Sequence, residues 1–165
     1  MTKLMNLWIA SLMVIVGSIA VACKSPAHGQ ENRPILVDPA DYDLGRVLFK
    51  EKQPTSAEEA LQDASVNASS LDEVVKFLTH HAELRIEVLG FADEKECDGA
   101  ECKNLAERRA LAVFKWLQSH GVPSNQLKGH EGFGKTQPVD LSDTEAQRQN
   151  NRRAEFKVEV AKSGS

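Results

Sequence analysis

The order of elements predicted along this chain is strand, helix, strand, helix, strand, strand, and that order calls for an α/β two-layer sandwich. Three observations carry the reading. LRIEVLGF (residues 84–91) alternates, with Leu84, Ile86 and Val88 on one face and Arg85 and Glu87 on the other, as a half-buried strand does. Residues 103–120 place Ala106, Ala110, Val113, Phe114 and Leu117 on one helical face, until Gly121 and Val122-Pro123 stop the helix. RRAEFKVEV alternates again and predicts a closing strand with Ala154, Phe156, Val158 and Val160 facing in.

The remaining elements follow in order. The chain opens MTKLMNLWIASLMVIVGSIAVAC, with Lys3 ahead of an apolar run from Leu7 to Ala22. That run falls short of the ~20 residues of a membrane span and no basic cluster follows it, so residues 1–22 read as a secretory signal. Small residues Ala20, Val21 and Ala22 lead into Cys23, a layout that resembles a bacterial lipoprotein signal in which the cysteine is lipidated. Ordinary cleavage, leaving Cys23 free, and an uncleaved anchor are the alternatives. Residues 24–33, KSPAHGQENR, read as a polar tether, and PILVDPADYDLG (34–45) as a short strand or an extended lead-in. RVLFK (46–50) is a first strand. TSAEEALQDA (55–64) and SSLDEVVKFLTHH (69–81) carry helical spacing, the second with a stripe of Leu71, Val74, Val75 and Leu78. Ser69 or Ser70 is a natural N-cap there, with Glu73 at capping-box distance from Ser70. QLKGHEGFGKTQPVD (126–140) reads as a strand and a glycine-rich turn, SDTEAQRQN (142–150) as a short helix, and AKSGS (161–165) as a disordered end.

Export would place the chain in an oxidising compartment. Of three cysteines, Cys97 and Cys102 form an even pair once Cys23 carries lipid. A zinc site needs about four ligands, and the five histidines show no matching spacing. A redox pair normally uses C-x-x-C. A disulfide bracing a short loop is the simplest reading, stabilising by roughly 2 kcal/mol on the chain-entropy estimate. No metal and no cofactor are expected. The formal charge of −4, or −5 without Lys3, and the lack of a basic patch with aromatics argue against nucleic acid.

Gly90-Phe91-Ala92-Asp93, Leu105-Ala106-Glu107-Arg108-Arg109-Ala110, Gly132-Phe133-Gly134 and Asn151-Arg152-Arg153-Ala154-Glu155-Phe156 stand in a fixed order. Together they resemble the OmpA-like C-terminal domain, shared with peptidoglycan-associated lipoproteins and flagellar motor stators. The family pattern runs G-H-T-D, L-S-x-x-R-A, G-x-G and N-R-R-V-E-F, and the resemblance covers about residues 45–160. It implies a mixed four-stranded sheet with helices on one face. It also implies noncovalent binding of peptidoglycan, through the zwitterionic diaminopimelate of the stem peptide, by an outer-membrane lipoprotein facing the periplasm. Carried over, Asp93 would take the ligand's ammonium and Arg109 its carboxylate, with Arg152 reaching in from below and Ala92, Leu105 and Asn104 beside them. Strand parity puts Arg152 under the helices and Arg153 on the open face. The family's His, Thr and Ser are here Phe91, Ala92 and Ala106, and its loop Asn is Cys102, so a bridged Cys102 offers no amide. An enzyme is not expected: Glu94 and Glu96 near Asp93 read as a solvated acidic loop and not as a glycosidase pair. The rivals are an OmpA-like module of drifted site that serves envelope protein partners and, further off, a wall hydrolase.

Overall fold

The computed structural model describes residues 42–161. The expected signal, Cys23, the tether, most of the lead-in and the last four residues lie outside them. The elements are β1 (Arg46–Leu48), α1 (Leu61–Ala64), a 3₁₀ turn (Ala68–Ser70), α2 (Leu71–His80), β2 (Leu84–Gly90), α3 (Ala100–Ser119), β3 (Leu127–Gly132), α4 (Glu145–Asn151) and β4 (Arg153–Val160). The strands form one sheet in the order β1-β4-β2-β3. β4 runs antiparallel to both neighbours, while β2 and β3 are parallel and joined through α3, so the sheet is mixed.

The half-buried patterns explain this layering. Leu84, Ile86 and Val88 of β2 are buried, and Ile86 and Val88 share one core cluster with Val74 and Leu78 of α2 and Ala110, Val113 and Leu117 of α3. On the opposite face Lys157, Glu87, Lys128 and Glu159 form a chain of exposed ion pairs. Two glycines set how closely α3 approaches. A Cβ at Gly90 would collide with the Ala106 carbonyl, and one at Gly132 with the Glu107 amide. Helix α3 therefore lies directly on the ends of β2 and β3, and its first turns reach the loop that follows β2.

Several expectations are corrected. Only Leu61–Ala64 of the stretch 55–64 is helical. Glu59 instead accepts bonds from the Thr55 amide and hydroxyl, and such side chain–backbone bonds compete with helix formation. Ser70 is itself in a helical conformation as the last residue of the 3₁₀ turn, and its hydroxyl donates back to the Asn67 carbonyl, so no capping box with Glu73 forms. Helix α3 starts at Ala100, three residues ahead of the predicted start, and takes in Cys102. Val160, expected to face in, is the last residue of β4 and is 48% exposed. Arg153 is buried, not on an open face. The turn after β3 folds over it: its guanidinium sits 3.9 Å from the Phe91 ring centroid and donates to the Gln137 carbonyl.

Candidate functional site

The loop after β2, the first half of α3 and the junction of α4 with β4 meet at one end of the sheet. Four charged side chains are buried there: Asp93 and Glu96 from the loop, Arg109 from α3 and Arg152 from the end of α4. The close approach at Gly90 brings Arg109 against the backbone leaving β2.

Arg109 is 0% exposed and uses all five of its N–H groups. Nε donates to the Gln53 carbonyl at 2.9 Å, Nη1 to the Phe91 carbonyl at 2.9 Å and Nη2 to the Lys50 carbonyl at 3.3 Å. The two remaining donors grip Glu96 as a fork, Nη1 to Oε1 at 2.5 Å and Nη2 to Oε2 at 2.8 Å. Glu96 also accepts the Asp93 amide on Oε1 and the Lys52 amide on Oε2, each at 2.9 Å. Burial pushes the Arg109 guanidinium below its ordinary pKa, and its bonds to Glu96 oppose that shift.

The second pair lies beside the first. Arg152 Nη1 donates to Asp93 Oδ2 at 2.9 Å, and Nη2 donates to Glu145 Oε1 at 2.5 Å and Gln149 Oε1 at 3.0 Å. Burial works to lower the Arg152 pKa but is outweighed by the bonds to Glu145 and Asp93, so the net shift is upward. Asp93 Oδ1 accepts the Lys95 amide at 2.7 Å. The buried set thus sums to zero charge, two guanidiniums against two carboxylates.

The sequence pattern set Asp93 and Arg109 together and took Glu96 for a solvated residue. The structure brings Asp93, Arg109 and Arg152 to one place but pairs Asp93 with Arg152 and Arg109 with Glu96. Glu96 is the residue that sequence reasoning missed, and one signal pointed to it. It stands immediately before Cys97, and Cys97 is joined to Cys102 of α3 by a disulfide with Cα atoms 5.0 Å apart. That bond draws position 96 toward the helix that carries Arg109. Ala92 and Leu105 turn their side chains into a small apolar cluster with the two cysteines. Asn104 is on the exposed flank of α3, its amide donating to Glu101 at 3.4 Å, away from the four charges.

Beside Ala92 a groove opens between the loop after β2 and the segment joining β3 to α4. It is lined by both signs of charge, with Lys95, Lys135 and Arg148 facing Asp98, Asp140 and Asp143. Such a surface suits a ligand that carries both charges. Among the described residues no three His, Cys, Asp or Glu side chains are grouped to hold a metal.

Solved structures share this architecture. The peptidoglycan-associated lipoprotein from Burkholderia pseudomallei is 26% identical, with 74% of this chain and 94% of that one covered and a TM-score of 0.57. The periplasmic domain of MotB is 26% identical over 68% of this chain and 58% of that one, with a TM-score of 0.53. The periplasmic domain of Helicobacter pylori MotB is 26% identical over 70% of this chain and 71% of that one, with a TM-score of 0.52. The OmpA family model matches residues 60–152, more than half of the chain and a span that contains Asp93, Glu96, Arg109 and Arg152. The chain belongs to the OmpA family.

Proposed function

We propose that this domain binds peptidoglycan noncovalently and tethers the outer membrane to the wall, anchored by a lipid on Cys23 and facing the periplasm. The observation that carries the reading is the convergence of Asp93, Arg109 and Arg152 in one buried cluster, next in the chain to Ala92 and Asn151, which line a groove of mixed charge. The ligand is the diaminopimelate of the stem peptide. Its ammonium meets Asp93 and its carboxylate meets Arg109, each through charge-assisted hydrogen bonds. Arg152 holds Asp93 in place, Ala92 lines the groove and Leu105 packs against Ala92, while Asn104, bonded to Glu101 on the exposed flank of α3, is not part of the groove. The domain supplies binding and no bond cleavage. The reading is supported by family membership and by similarity to a peptidoglycan-associated lipoprotein over 94% of that chain.

Sedimentation of the purified mature protein with isolated peptidoglycan tests it. Co-sedimentation with constant wall turbidity is expected. A protein that stays in the supernatant would refute binding, and falling turbidity would reveal a hydrolase. A second reading, an OmpA-like module whose ligand site has drifted toward an envelope protein partner, is favoured by one observation: every donor of Arg109 is already used by the chain itself.

A further inference from the structure

We infer that Glu96 is an internal competitor for the ligand's carboxylate, so that the wall site is closed by the chain's own loop until Glu96 is displaced. The inference rests on the proposed role of Arg109 in wall binding. Arg109 has no spare N–H, so a ligand carboxylate can bind it only in exchange for a present acceptor. Three of those acceptors, the carbonyls of Lys50, Gln53 and Phe91, belong to the backbone packed around the guanidinium. Only Glu96 is a side chain, and it stands on a loop.

What Glu96 occupies is a carboxylate cradle with four donors. The Arg109 fork and the amides of Asp93 and Lys52 reach its two oxygens at 2.5 to 2.9 Å. A carboxylate that replaced it would inherit all four bonds. Because one carboxylate replaces another, the exchange leaves the Arg109 guanidinium with a counter-charge throughout. The loop is short and fastened on both sides of Glu96, by the strand end at Gly90 and by the Cys97–Cys102 disulfide. The disulfide holds the competitor at the cradle, so reducing it lets Glu96 swing further and lowers its local concentration there.

The test is Glu96→Gln, which keeps the volume and one acceptor but removes the competing charge. Titration of the mature protein with diaminopimelate, and sedimentation with peptidoglycan, should show binding about tenfold tighter or more, since wild type is binding-competent only for the fraction of time that Glu96 is out. Binding by wild type and Glu96→Gln at equal strength, or weaker binding by the variant, overturns the competition and leaves the wall-binding reading standing. Binding by the variant alone supports competition in its strongest form. Binding by neither to peptidoglycan or diaminopimelate overturns both readings. If Glu96→Gln does not fold, wild type is titrated with its disulfide intact and reduced: tighter binding on reduction supports the inference, and unchanged binding overturns it.

Discussion

Replacing Arg109 by alanine should destabilise the fold by about 3–5 kcal/mol, the cost of breaking a buried ion pair from one side. The magnitude follows from what the guanidinium leaves behind. The Glu96 side chain, itself 0% exposed, would keep its charge with two amide donors in place of four. The carbonyls of Lys50, Gln53 and Phe91 would each lose the donor from Arg109. Arg109 also ties the segment after β1 to α3, so its loss loosens two elements at once. Against a typical total of about 5–15 kcal/mol, the variant would be folded but marginal. Urea denaturation of the mature protein reads this directly: with a slope of about 2 kcal/mol per molar, the midpoint should fall by roughly 2 M. Glu96→Ala should cost a similar amount, because it strands the arginine. The double variant removes both charges, so its cost should fall short of the sum by about 2 kcal/mol or more. Additivity to within about 0.5 kcal/mol would refute the pair as the source of the stability.

Gly90→Ala should destabilise by about 1–3 kcal/mol in the same assay, because the added methyl meets the Ala106 carbonyl of a packed helix that has no room to retreat; an unchanged midpoint would show that α3 can shift. Acid should loosen the rim of the site. Hydrogen bonds from Arg152 first and Arg148 second hold Glu145 below its ordinary 4.5, so its contribution is complete above that pH and is lost as pH falls through the lowered folded value. The thermal midpoint of wild type should therefore drop more steeply below about pH 4.5 than that of Glu145→Gln, and parallel curves would count against the bridge.

The sheet and the two long helices were legible because half-burial imposes a period on the sequence. Leu84, Ile86 and Val88 are buried while Arg85 between them is exposed, and Ala106, Ala110, Val113 and Leu117 share the buried side of α3. Local polar chemistry was not legible in the same way. Residues 55–60 have helical spacing, yet Glu59 bonds the Thr55 amide and Ser70 bonds back to Asn67, choices that depend on the neighbouring turn. At the site, the family pattern marked Asp93, Arg109 and Arg152 but not their partners. Glu94 and Glu96 are the same residue type two positions apart, one exposed and the other with its side chain sealed on an arginine. Only the path of the loop distinguishes them, and that path is set by the disulfide and by α3 together.

The two ion pairs also differ in how each could admit a zwitterion. Arg152 stands on Asp93 where a ligand's ammonium would, and Glu96 stands on Arg109 where a ligand's carboxylate would. Arg152 is also held by Glu145, Gln149 and the Phe49 carbonyl at the junction of α4 and β4, so leaving Asp93 would disturb an entire helix end. It need not leave. A carboxylate oxygen has room for about two donors, and Asp93 Oδ1 and Oδ2 each accept one from the chain. An ammonium can therefore share Asp93 with Arg152, whereas a carboxylate must take the place of Glu96 because Arg109 has no donor left. The cationic half of the ligand would then set whether the groove is visited, and the anionic half whether the visit lasts. On that division Asp93→Asn should weaken first contact with the wall in wild type and in Glu96→Gln alike, because an ammonium can share Asp93 without Glu96 leaving Arg109.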